Sequence, residues 1–188
     1  MKNVSFYMNG FTHGVGGACS GVVVASLLNI DRPELFATVV VSSIVASYAV
    51  DLDEPQSKAG QKLKPVSWSL KKLLGHRGIL HTPFFVLLVT ALLYYFLNEK
   101  YANTMFICLG NLSGAFSHLI LDSLTPQGIM WLFPFSRSYI TFMGWKGKNR
   151  DVICTSILLL STTLFLLIKY NILTISINLH SGAINLII

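Results

Sequence analysis

Charge is scarce in this 188-residue chain: Asp and Glu together number 8, and charged residues make up 12% of the sequence against 53% hydrophobic ones. A soluble domain carries about 25% charged residues, so the composition excludes one and points to a chain dissolved in lipid. Cysteine is scarce too. Cys19, Cys108 and Cys154 are odd in number, far apart and set in apolar runs, which argues against a disulfide framework or a thiolate metal site and leaves reduced packing residues. Behind Lys2 there is no compact apolar stretch ending at a small-residue cleavage site, so the first apolar run is expected to stay in the mature chain. Internal repeats and low-complexity tracts are also missing.

What is present is a set of long apolar runs. A bilayer crossing takes about 20 mostly apolar residues, and the runs fall at Gly14 to Ile30, Pro33 to Val50, Ile79 to Leu97, Thr104 to Leu121 and Val152 to Ile172. The expected fold is all-α, a polytopic membrane bundle of about five transmembrane helices forming a single domain over residues 1–188. The tail from Leu173 to Ile188 is apolar but short and carries Asn178, His180 and Asn185. It is either a sixth span or a segment lying along the interface.

Five spans put the N-terminus, the loop 51–78 and the loop 122–151 on one side. That side holds Lys2, then Lys58, Lys62, Lys64, Lys71, Lys72 and Arg77, then Arg137, Lys146, Lys148 and Arg150; the other holds Arg32, Lys100 and Lys169. The bias predicts that the first side is cytoplasmic. It also explains the basic balance without nucleic acid, for which no reading motif is present. Within the first loop, "SWSLKKLL" has the pattern of a short amphipathic helix on the membrane surface. The loop after the fourth span is rich in aromatics, glycine and proline and is expected to fold over the same face, with Trp68, Trp131 and Trp145 anchored at headgroup level.

The histidines and carboxylates follow this topology. His13 opens span one, Asp51 and Asp53 close span two, His76 and His81 open span three, and His118 with Asp122 close span four, so alternating helix direction brings all seven to one face. The opposite span ends carry Asp31, Glu34 and Glu99 but no histidine. Spacing by four residues places the same groups on stripes of small residues: His13, Gly17, Gly21 and Ala25; Ser43, Ser47 and Asp51; Gly110, Gly114, His118 and Asp122. Such stripes let membrane helices approach closely, and ionisable groups at membrane depth are costly and usually functional. His180 stands alone in the tail and reads as a packing or interfacial residue.

His118 and Asp122, one helical turn apart, can reach one ion from a single face. With His13, Asp51, Asp53, His76 and His81 they form a nitrogen and oxygen donor set suited to a divalent metal, zinc first and manganese next. Seven groups exceed the needs of one tetrahedral ion. Either more than one ion binds, or some members orient ligands and carry protons. Asp53, His76 and Arg77 are the candidates for catalytic work, and Arg77 and Arg137 are placed to clamp a phosphate, a role that competes with plain topological charge. Ser57 and Thr125 offer hydroxyls near the site without the spacing of a nucleophile. A metal-activated water acting on a phosphoester or lipid-linked substrate is the leading expectation. A non-enzymatic metal-ion carrier or sensor and a metal-stapled scaffold are the alternatives. Oligomeric state is not legible.

Four motifs in order, "THGVGG" (Thr12 to Gly17), "DLDEPQS" (Asp51 to Ser57), "HRGILHT" (His76 to Thr82) and "SHLILDSLTPQGI" (Ser117 to Ile129), resemble the LexA-regulated, membrane-bound metal-dependent hydrolase family. The match runs from the N-terminus to about Arg137. The resemblance implies a bacterial cytoplasmic-membrane protein with a metal site at His13, Asp51, Asp53, His76, His81, His118 and Asp122, and, through a suggested similarity to zinc-dependent phospholipase C, phosphoester hydrolysis. Val50 where proline is usual, and "LHT" where Thr-His-Ser is usual, are departures that keep every ligand.

Overall fold

The computed structural model describes residues 8–74, 77–147 and 149–172, together with the backbone of 174–178 and 183–187; the side chains of Lys58 and Leu74 lie outside the description. Among the described residues seven α-helices are formed: α1 (Gly10–Leu27), α2 (Pro33–Ala49), α3 (Lys58–Lys62), α4 (Lys64–Leu74), α5 (Pro83–Leu97), α6 (Thr104–Ser123) and α7 (Arg150–Lys169). Short 3-10 turns at Val50–Asp53 and Ile79–His81 follow α2 and precede α5. The bundle is helical, as expected. Beyond it, the tail pairs Thr174–Asn178 with Ala183–Ile187 as an antiparallel two-stranded hairpin, β1 and β2, rather than a further span.

Among the described residues, four helices are long and apolar enough to cross a membrane: α1, α2 extended through Asp53, α6 and α7. The third expected span differs. Its helix begins at Pro83 rather than Ile79 and is 15 residues long, about 22 Å at 1.5 Å per residue. The cause is local. Proline bars its predecessor from the helical region, Thr82 accordingly sits at φ −126°, ψ 145°, and its hydroxyl caps the helix by accepting from Phe85 N. His81 therefore lies in a tight turn before α5 and not on the helix. Because α6 runs from the opposite face back to the site, α5 and the residues after it still have to carry the chain across.

Helix α2 packs against both α1 and α6, α1 also touches α6 and α7, and α5 lies on α6. The small-residue stripes make these contacts. A Cβ added at Gly114 would overlap the Ser43 carbonyl, and one at Gly17 would come within 2.6 Å of Ser47 Oγ. Hydroxyls then join the helices: Ser43 Oγ donates to Gly17 O at 2.6 Å and Ser20 Oγ to Ser113 O at 3.2 Å. Each such bond within a membrane contributes about 0.6 kcal/mol, so close backbone approach does most of the holding. Around this core, α7 has only 6% of its span buried and presents Val152, Leu160 and Leu164 outward. All three cysteines are buried and free, as expected of packing residues.

The amphipathic helix expected at "SWSLKKLL" is α4. Ser67 is buried and Lys71 half-buried on its inner side, while Val66, Trp68 and Leu73 are exposed. The loop after α6 returns over the site face, pinned by the Ile129–Ile140 bridge, by Phe142 N donating to Ser123 O and by Trp145 N donating to Leu124 O. Trp131 is partly buried, its indole donating to Ser123 Oγ at 2.7 Å.

Candidate metal centre

Four helix ends and turns meet at the face where α2 and α6 terminate. α2 tightens into its 3-10 turn at Val50, and a change from four-residue to three-residue bonding leaves a carbonyl over at the junction. His118 Nδ1 reaches the carbonyl of Ser47 at 2.7 Å. That contact assigns the proton to Nδ1 and leaves the Nε2 lone pair facing the carboxylates. On the far side His81 Nδ1 lies 3.5 Å from Asp53 Oδ2, so a carboxylate stands behind this imidazole as well.

The two histidines then face Asp51 and Asp122. His81 Nε2 is 3.4 Å from Asp51 Oδ1 and 3.6 Å from Asp122 Oδ2; His118 Nε2 is 3.6 Å from Asp51 Oδ1 and 3.4 Å from Asp122 Oδ2. Two nitrogens and two oxygens alternate around a closed ring. A tetrahedral ion with bonds of about 2.0–2.1 Å needs donors about 3.3–3.4 Å apart; neighbours around the ring lie near that spacing, and Asp51, His81 and His118 together form a three-donor group compatible with a metal. His118 Nε2 and Asp122 Oδ2 are buried and take part in no hydrogen bond. Buried polar atoms are rarely left so, and a cation between them satisfies both. The mixed N and O donors without thiolate suit zinc or manganese.

His13 stands beside this ring. Its imidazole stacks on that of His118 with centroids 3.7 Å apart, and its Nε2 lies 3.5 Å from Asp122 Oδ1. His13, His118 and Asp122 form a second group with donor spacings compatible with a metal. His118 has one available nitrogen and belongs to both groups, so the two would compete for it.

Arg77 closes the fourth side. Its backbone N donates to Asp53 Oδ2 at 3.2 Å, Nη1 donates to Thr125 Oγ1 at 2.6 Å, and Nη2 pairs with Asp122 Oδ1. The residue holds a left-handed φ of +53°, a conformation costing about 1–2 kcal/mol for an L side chain, while the guanidinium spans from one carboxylate to the neighbouring hydroxyl. Burial works against charge on His81, which lies outside the spanning helices, but the carboxylates of Asp51, Asp53 and Asp122 outweigh it and push its pKa up to about 10.

Above the ring opens a cavity of 450 Å³ whose lining includes His13, Asp51, Asp122, Arg77, Lys71, Glu54 and Ser57. His81 and His118 lie beneath it. The structure thus brings together His13, Asp51, Asp53, His81, His118, Asp122 and Arg77. Asp53 sits behind His81 and gives no atom to the four-donor ring. Arg137 is exposed on the loop after α6 and does not line the cavity, and His76 lies outside the described residues. Sequence reasoning passed over Glu54 and Lys71, which line the cavity as an ion pair at 2.9 Å. Glu54 stands inside the "DLDEPQS" motif, and Lys71 follows Ser67 by one turn on the inward side of α4, a signal hidden among topological lysines.

The sequence has relatives. The uncharacterized protein YvsG of Bacillus subtilis (strain 168) is 35% identical over 127 residues, 68% of this chain and 74% of that protein. The inner membrane protein YdjM of Escherichia coli (strain K12) and that of Shigella flexneri are each 33% identical over 96 residues, 51% of this chain and 49% of theirs. The chain thus spans about half the length of these two relatives. No solved structure matches it. The family described as YdjM inner membrane protein matches residues 8–184, and on that match, which covers the whole helical bundle and the ring of buried donors, the chain belongs to the YdjM inner membrane protein family.

Proposed function

We propose that this protein is a metal-dependent hydrolase of phosphoesters, lipid-linked ones in particular, working at the cytoplasmic face of the inner membrane. The observation that carries the reading is the ring of His81, His118, Asp51 and Asp122 donors, whose two carboxylates line a polar cavity. A structural staple has no need of an open cavity above it. A carrier would place its charged groups near mid-membrane at broken helices, whereas these gather at one end of the bundle. The basic loops on the site side support the cytoplasmic orientation.

Charge explains why a metal would come first. Asp51, Asp122 and Glu54 line the cavity against Lys71 and Arg77, with Asp53 buried just behind, so the metal-free site repels a phosphate. A bound divalent ion supplies positive charge, acidifies water and polarises a phosphoryl oxygen. The chain's own residues do the rest. Ser47 and Asp53 hold the His118 and His81 rings in place, and Arg77 holds Asp122. His13, which lines the cavity, takes the proton of the attacking water. Lys71 faces the anionic oxygens of the substrate. Water oxygen bonds to phosphorus, the ester P–O bond breaks, and the leaving alkoxide takes back the proton that His13 accepted, departing as the alcohol.

Elemental analysis of detergent-purified protein tests the centre. At least one zinc or manganese per chain is expected, reduced in His118→Ala and in Asp122→Ala. Wild type purified without chelator and found metal-free would overturn it. Chromogenic phosphodiesters and phospholipids then test turnover: metal present with liposome ion flux but no hydrolysis would replace this reading by a carrier.

A further inference from the structure

The candidate centre uses one side of the segment from Asp51 to Ala59. The other side lines a second, open groove of 910 Å³, formed by Val45, Tyr48 and Ala49 of α2, Leu52 of the 3-10 turn, and Ala59 and Leu63 at α3. Along this segment the chemistry alternates. Asp51 and Ser57 face the polar cavity while Leu52 and Ala59 face the groove, so one strip of chain divides the two. Tyr48 closes the division from above: its ring lies against Gly10, which lines the polar cavity, with Cε1 3.8 Å from where a Gly10 Cβ would stand.

The groove opens sideways. Val45 in its wall and Val41 one turn along α2 are 61% and 57% exposed, on a helix that crosses the bilayer, so hydrocarbon meets the groove directly. At its other end the exposed Gln61 and Lys62 add a polar rim. Its size falls in the range of about 300–1,000 Å³ usual for small-ligand sites, and each methylene withdrawn into an apolar site contributes about 0.8 kcal/mol against water. An entirely water-soluble phosphoester would make no use of such a wall.

We propose that this groove seats a hydrocarbon chain of a membrane phospholipid whose phosphate headgroup occupies the adjacent polar cavity, so that the substrate enters laterally from the leaflet. The headgroup half rests on the hydrolase reading above; the chain half rests on the groove. Tyr48 and Leu52 are then the residues that select for chain-bearing substrates.

The test uses full-length protein in phosphatidylcholine vesicles containing a little phosphatidic acid with a photoactivatable diazirine near the end of one acyl chain, followed by peptide mapping and elemental analysis. Label is expected to concentrate at Tyr48, Leu52 and Leu63, above the level on lipid-facing α7. Ala49→Trp fills the groove without touching a donor; it should lower that label to the α7 level while metal content stays that of wild type. A diacylglycerol carrying the same chain should label the groove less than phosphatidic acid does. Label spread evenly over α2, α5 and α7, label that survives Ala49→Trp, or equal capture of diacylglycerol would overturn the proposal. A wild type that captures the chain selectively yet holds no metal would support the groove and sink the hydrolase reading alone.

Discussion

Asp122 has more neighbours than any other acid in the centre. One oxygen faces His81 and His118, and the other takes Arg77 and lies near His13. Removing one partner of a buried ion pair costs about 3–5 kcal/mol, so Arg77→Ala is expected to destabilise the metal-free protein by about 3 kcal/mol in thermal unfolding in detergent. Thr125→Val, which strips only the hydroxyl that accepts from Nη1, should cost about 1 kcal/mol. His81 gives a pH signature. With its pKa raised to about 10 from about 6.5 unfolded, it contributes stability to the metal-free protein that is fully present below pH 6.5 and lost as pH rises through 10. Melting temperature in chelator should therefore fall across that window. A loaded centre has already expelled this proton and should show no such fall. The histidines and aspartates that meet at the candidate centre were legible from the sequence because ionisable groups at span ends are rare. Ser47 was legible only as a member of a stripe, since its contribution is a backbone carbonyl, which every residue has.

The elements are positioned by closeness more than by attraction. Gly114 lies against the Ser43 backbone, and a backbone cannot rotate away as a side chain can. Gly114→Ala should force α2 from α6, cost about 1–3 kcal/mol as overpacking does, and lower metal content, because Asp51 and His118 ride on those two helices. Gly10→Ala meets Tyr48 only at ordinary contact distance and should melt as wild type does; paired melting curves and metal analysis check both. Four-residue spacing of small residues made these contacts legible in advance. The break before α5 was not: the apolar run from Ile79 through Leu97 is continuous in hydropathy, and only Thr82 with Pro83, a capping hydroxyl before a residue lacking N–H, marks where the helix can start.

At the scale of the whole molecule, the basic loops predict which face is cytoplasmic. Single cysteines at Ser57 and Lys100, against a background in which Cys19, Cys108 and Cys154 are buried, are expected to react with impermeant maleimide from opposite sides of sealed inverted and right-side-out vesicles; same-side labelling would overturn the topology. The helical bundle and the gathering of the span-end histidines and aspartates at one face were legible from hydropathy and spacing alone. The cavity was not, because it depends on how the segment 51–57 and α4 fold back beside the donors, a return held by the Lys71–Glu54 ion pair. The short helix α5 carries this further. At about 22 Å it borders hydrocarbon about 30 Å thick, so on that flank the bilayer is expected to thin. Mismatch of this kind sorts proteins by membrane thickness: the chain should gather where acyl tails are short, and lengthening those tails should crowd it into clusters.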